Sequence, residues 1–353
     1  MDILVIGNGF DLAHGLSTTY LDFLKFINNV NEYLKEKKQK AETDSILKKA
    51  TLNIKEIFTY DYKIGEFSIK KHFIDVVKDN LWIDYFNKKC NTIGETWIDF
   101  EKEISNVVQI LDTLNNDINK LYVREPNLAE VLNKYRCKPS EISNLLLNHL
   151  NGLIDALEIY LRCYISETKP NRISPDIRDL KIDAVISFNY TNTYNKLYGD
   201  ENTVECYYIH GNINFNNEDN YVNNMVLGID EYLEGEERNT KLEYVEFKKY
   251  FQRIYKSTGA DYKKWLDKSY LDFNVYFFGH SLDKTDKDIL KDIILRKNTK
   301  IFIYYHNKEA YAKLIKNLVN VIGQDKLIEM TGGLTPKIKF RLQKDMEKIN
   351  KNI

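Results

Sequence analysis

Residues 3–16 read ILVIGNGFDLAHGL, and this stretch decides the fold. Four apolar residues in a row, Ile3 to Ile6, are the mark of a strand buried on both faces, as in a parallel sheet. Gly7-Asn8-Gly9 then signals a tight turn, followed by Phe10, Asp11 and His14. It looks like the opening of a nucleotide-binding domain, although Leu12 stands where the Gly-x-Gly-x-x-Gly fingerprint has its third glycine.

Strand signals return only far downstream. Residues 182–188 (IDAVISF), 204–209 (VECYYI), Val226-Leu227 with Gly228, 273–278 (FNVYFF) and 300–305 (KIFIYY) are rich in β-branched and aromatic side chains. Helical pieces at 241–255 and 286–295 alternate with them, which predicts a doubly wound, mostly parallel, Rossmann-like α/β sheet. The stretch from 19 to about 169 reads helical instead. Thr19-Tyr20-Leu21-Asp22 is a capping-box signature, and Tyr20, Phe23, Leu24, Ile27, Val30 and Leu34 keep helical spacing. Pro139-Ser140 opens another helix, whose apolar face holds Ile142, Leu145, Leu146, Leu153, Leu157 and Tyr164; 82–86 and 97–101 are also read as helical. The expected organisation is a sheet domain of residues 1–18 and 171–353, with a large all-helical insertion, residues 19–170, after the first strand.

Composition narrows the function classes. The chain has 353 residues, 43% hydrophobic and 29% charged, as in folded proteins of roughly two domains. A net charge of -1 gives no global reason to expect nucleic acid or acidic membranes as partners. Cys90, Cys137, Cys163 and Cys206 have neither metal-ligand spacing nor the look of a disulfide framework, so a cytoplasmic location without a metal is expected. The N-terminus lacks a basic region and a cleavage site, and no apolar run approaches the ~20 residues that span a bilayer, so no membrane is expected.

In an open α/β sheet, ligands sit beyond the carboxyl ends of the strands. The residues there are Gly7-Asn8-Gly9-Phe10-Asp11, Asn189-Tyr190-Thr191-Asn192, His210-Gly211-Asn212 and Gly279-His280-Ser281. Gly7 and Gly9 let a backbone approach phosphates, with amides to cradle an anion. Asn189 offers an uncharged donor and acceptor, and His210 a base near neutral pH. His280 and Ser281 suit sugar or phosphate. Thr285-Asp286-Lys287-Asp288 reads as a capping box, which makes Thr285 and Asp288 structural. His14 is read either as a helix C-cap or as a site residue, and His149 as a core histidine. Trp97 and Glu101, one helical turn apart, are assigned to packing and a salt bridge.

ILVIGNGFDLAHGL, WIDFE, ISFNYTNTYNKLYG, YIHG and YFFGHSLDKTDKDIL, in this order, resemble the AbiH family of bacteriophage abortive-infection proteins. The likeness covers both ends of the chain and is weak in the helical middle beyond the tryptophan motif. More distantly, the order Gly-x-Gly, Phe-Asn-Tyr-Thr, Ile-His-Gly and Gly-His-Ser-Leu-x-x-x-Asp is similar to sirtuin-like NAD-cleaving domains of bacterial defence systems. That resemblance implies a sirtuin-like fold and cleavage of NAD as substrate, an NAD glycohydrolase activity. It places the groups acting at the nicotinamide ribose on Asn189 and His210, and the glycine loop on Gly7, Gly9 and Phe10. Asn8, Asp11, Thr191, Gly211, Gly279, His280 and Ser281 are expected to complete the NAD site.

Asp11 stands where that pattern has a serine; a carboxylate there would repel a pyrophosphate, and it is assigned to a ribose hydroxyl or to capping the turn. The zinc-binding cysteines of protein-deacylating sirtuins are missing. A phage-derived trigger and a homo-oligomer are further expectations. Two competing functions remain. A nuclease toxin would need Pro175-Asp176 with Glu246-Phe247-Lys248, and the Arg-x(4-6)-His ribonuclease signature does not occur. A nucleotide-binding sensor would keep the glycine loop without needing a histidine.

Overall fold

The computed structural model describes residues 1–39, 63–64, 67–93, 98–199, 204–213, 222–268 and 271–349. The opening apolar run forms β1 (Asp2–Ile6), and four further predicted strands form close to their expected limits. They are β2 (Ala184–Ser187), β3 (Glu205–Tyr208), β4 (Phe273–Phe278) and β5 (Thr299–Tyr305), joined by β6 (Ile338–Leu342). The spatial order is β3-β2-β1-β4-β5-β6, and all neighbouring strands run parallel. This is the strand order of doubly wound dinucleotide-binding sheets, which reverse beside their first strand.

Alternate residues of β1 enter two different cores, as strand geometry requires. Ile3 and Val5 join Ile289, Leu290, Ile293 and Ile294 from one helix and Leu314, Leu318 and Val321 from another. Leu4 and Ile6 face Phe10, Ile177 and Tyr194. Both faces are therefore covered, and Ile3 to Ile6 are each at most 2% exposed.

By proximity the chain divides into two units: residues 1–17, 168–212 and 253–353 hold the sheet, and residues 18–167 and 213–252 form the other. The stretch 213–252, expected from the sequence to lie with the sheet, thus groups with the helices. In that second unit α2 (Tyr20–Gln39) starts at the expected box: the Asp22 amide donates to Thr19 Oγ1 at 3.0 Å, and Asp22 Oδ2 accepts from the Thr19 amide at 3.3 Å. Phe23, Ile27 and Val30 are buried, and the ring of Phe100 stacks on Tyr20 and on Phe86. Pro139 opens a turn that leads into the long helix Ile142–Tyr160, as its spacing predicts. The side chain of Leu34 and the whole of Trp97 lie outside the described residues.

Two expectations need correction here. Val226-Leu227-Gly228 is buried and extended but joins no sheet. The amide side chain of Gln252 takes the place of a strand partner, accepting from the Leu227 amide and donating to its carbonyl, both at 3.1 Å. Ile229 pairs by backbone with Lys248 as an isolated bridge. The helix expected over 241–255 is confined to Lys249–Tyr255, with a tighter turn at Val245–Phe247. Among the described residues, no helix is long and apolar enough to cross a membrane.

Candidate functional site

Strand register brings the four polar loops to one level. Ile6 is level with Ser187 and Phe278, and Ser187 with Tyr208. The ladder continues one step, with Phe188 donating to the Ile6 carbonyl and Ile209 to the Ser187 carbonyl. Two residues beyond these strand ends stand Asn8, Asn189, His210 and His280. Neighbouring strands lie about 5 Å apart, so the loops of β1, β2, β3 and β4 present their side chains as adjacent rows.

The glycine loop differs from its expected use. Gly7 caps α1 (Asn8–Ala13), which has no side-chain cap. The amides of Gly7, Gly9 and Phe10 donate to the carbonyls of Phe278, Gly279 and Gly7, so these three are already committed and do not cradle an anion. A Cβ on Gly9 would stand 2.7 Å from the Gly279 oxygen, and one on Gly279 (φ +69°) would stand 2.1 Å from the Phe10 nitrogen. Glycine is needed here because two backbones touch. Phe10, expected among ligand-contacting residues, is a core side chain packed on Phe278 and His14. Asn8 and Ser281 are exposed.

His14 is the C-cap residue of α1 and ties the loop down. Nδ1 donates to the Phe10 carbonyl, which leaves Nε2 to accept from the Tyr198 hydroxyl, both at 2.6 Å. Burial pulls its pKa down, with the Phe10 carbonyl opposing, so the ring is held neutral. His149 is half-buried, with Nδ1 accepting from the Leu81 amide at 3.4 Å.

The carboxylate that ends the Gly-His-Ser-Leu-x-x-x-Asp pattern, Asp286, completes the β3 and β4 loops. Asp286 accepts from His210 Nε2 at 3.0 Å through Oδ1, and its Oδ2 lies 3.7 Å from His280 Nε2. All three residues are buried. With its Nε2 proton directed at Asp286, neutral His210 carries its basic lone pair on Nδ1. His280 Nδ1 accepts from the Leu282 amide at 2.9 Å, so its proton also sits on Nε2. The ring of Phe188 meets both histidines edge to face. Leu282 adopts φ +55°, a left-handed conformation costing about 1–2 kcal/mol for a residue with a Cβ. Its fully buried side chain and the bond to His280 hold it there.

The predicted capping box at Thr285 does not form. Asp283 accepts from the Thr285 amide instead, and Asp288 is paired with Arg253. Asp286 stands six residues after a strand-end histidine, at the end of the Gly-His-Ser-Leu-x-x-x-Asp pattern, although no separate role follows for it from the sequence.

Beneath the β1 and β2 loops, Thr191 donates to Asp11 Oδ2 at 2.6 Å and accepts from Thr193 at 3.1 Å. Burial pushes the Asp11 carboxyl up to about 6, against the opposing pull of Thr191, Thr193, Asn189 and Lys196. Asp11 Oδ1 and both amide atoms of Asn189 are buried and make no hydrogen bond of ordinary geometry, although the Asn189 amide is near enough to draw the Asp11 carboxyl downward. Natives leave few such atoms, and each calls for an explanation. A cleft of about 200 Å³ opens beside β3, lined by Tyr208, Gly211, Asn212, Ser257, Thr258 and Gly259. The residues of the nuclease reading are engaged elsewhere: Asp176 accepts from the Lys344 amide, and Lys248 is bound to both oxygens of Glu231.

Sheet order and strand-end loops define a parallel α/β protein with a polar site beside its central strand. The family model described as "Bacteriophage abortive infection AbiH" matches residues 3–305. The chain therefore belongs to the AbiH family of bacteriophage abortive infection. No curated protein matches it significantly.

Proposed function

We propose that this abortive-infection protein acts as an enzyme that hydrolyses the nicotinamide–ribose bond of NAD, on a sirtuin-like site. The observation that carries the proposal is the pairing of two side chains one strand apart: a base oriented by a buried carboxylate, His210–Asp286, and the uncommitted buried amide of Asn189. Orientation by a third group is what distinguishes a working base from a structural histidine.

The chemistry asks little more. The bond between C1′ and the nicotinamide nitrogen breaks, with its electron pair leaving on nicotinamide, which departs neutral. The oxygen of water bonds to C1′ and its proton passes to His210 Nδ1. Asp286 stabilises the imidazolium so formed, and Asn189 orients the ribose and the water. The committed amides of the glycine loop mean that support comes from the ribose end of the site rather than from a phosphate cradle.

The test is release of free nicotinamide by the purified full chain, followed by chromatography. His210→Ala and Asn189→Ala are expected to abolish it, together with phage protection. If either variant releases nicotinamide at the wild-type rate, the assignment fails. Protection that survives His210→Ala would instead favour a nucleotide sensor.

A further inference from the structure

Asp11 is explained neither by the hydrolysis step nor by capping, because α1 has no side-chain cap. Its Oδ2 is held by Thr191, itself held by Thr193, and this chain of hydroxyls fixes the carboxylate. Oδ1 is left without a partner in a residue only 1% exposed. On the neighbouring strand end Asn189, 4% exposed, leaves an amide nitrogen and an amide oxygen in the same condition. Two adjacent loops thus offer one anionic acceptor, one donor and one neutral acceptor. Leaving such groups buried and unpaired is unfavourable, so a ligand that completes all three is selected strongly.

We propose that Asp11 is the group that selects a vicinal diol of the ribose type, with Asn189 completing the clamp. One sugar hydroxyl donates to Asp11 Oδ1 and accepts from the Asn189 amide nitrogen. The neighbouring hydroxyl donates to the Asn189 amide oxygen. Each of the three atoms is then used once. A phosphate dianion does not fit, since it has no proton to give and is repelled by the carboxylate. The placement at the reacting sugar rests on the function proposed above, whereas diol recognition itself needs no bond cleavage.

The two ideas separate in a binding experiment. Calorimetry would compare ADP-ribose, which keeps the diol but has no nicotinamide to lose, with its counterpart in which both sugars are 2-deoxyribose. The wild-type chain is expected to prefer the diol by roughly tenfold to a hundredfold, as for a hydrogen bond to a charged group. Asp11→Asn and Asp11→Ala are expected to lose most of that preference, with thermal melts reporting whether each folds. Should Asp11→Ala fail to fold, the isosteric Asp11→Asn decides. The clamp is overturned if the wild type binds neither probe, binds both equally, or if Asp11→Asn discriminates as the wild type does. Selective diol binding without nicotinamide release would sink the cleavage proposal and leave the clamp standing.

Discussion

The two units of the chain treat buried polar groups in opposite ways. In the helical unit Lys249, 2% exposed, pairs with Glu101 at 2.7 Å, and Lys248 pairs with Glu231 at 2.8 Å. Buried Glu158 is bound by Arg162, and the Trp82 indole donates to the Leu146 carbonyl. In the sheet unit, atoms of Asp11, Asn189, Ser174 and Arg253 are buried without partners, and among the described residues the helical unit has no such atom. Unsatisfied groups weaken a fold. Their concentration on one unit, two of them in the loops after strands, separates a framework whose buried polar groups are paired from a region whose polar groups are not.

The sharpest way to break this contrast is catalytic. Asp286→Asn keeps shape but removes the charge that orients His210, and nicotinamide release is expected to fall by about 100-fold or more. An unchanged rate would reduce the Asp286–His210 pair to packing. Next comes the helical unit: Lys249→Ala leaves Glu101 without its partner and is expected to cost about 3 kcal/mol in urea unfolding. Replacing both residues with methionine should restore most of that loss. A single substitution that costs nothing would mean the pair is no framework element.

Asp11 behaves in the reverse sense. Its folded-state pKa of about 6 lies above the ordinary 3.8, so its contribution to stability is complete below pH 3.8 and lost as pH rises through 6. The groups around it are Thr191, Thr193, Asn189, Lys196 and Tyr208. Asp11→Asn, which does not titrate, should therefore be more stable than wild type at pH 7.5, by up to about 3 kcal/mol, with no gain below pH 4. Greater stability of the wild type at pH 7.5 would contradict a strained, functional Asp11. The smallest effect concerns capping: Asp283→Ala should cost about 1 kcal/mol in thermal unfolding, and Thr285→Ala close to nothing. The opposite ranking would restore the capping box expected at Thr285.

Much of the sheet is legible in the sequence because its strands are buried on both faces. The runs at 3–6, 182–188, 273–278 and 300–305 are mostly apolar, broken by Asp183, Ser187, Asn274 and Lys300, and polar loops follow the first three. Strand β6 is not legible, because as an edge strand it buries only Ile338 fully and is short and lysine-flanked, without the apolar run of the central strands. Val226-Leu227-Gly228 misled for a related reason: it has the composition of a buried strand, but a glutamine side chain satisfies its backbone. Asp286 closes the Gly-His-Ser-Leu-x-x-x-Asp pattern, but its pairing is not legible, because the partner histidine lies 76 residues earlier and is brought close by the fold. The glycines were read correctly as a close approach, but the partner is the Gly279 backbone.

The central strand also sets a timetable. β1 pairs with residues beginning at Ala184 on one side and Asn274 on the other. A ribosome adding about 5–20 residues per second needs tens of seconds to supply both partners. Until then β1 has no sheet to join, and Asp11 stands far along the chain from Asn189, His210 and Asp286. Partial translation products ending before Phe273 therefore lack the assembled strand-end loops, which come together only when most of the chain has been made.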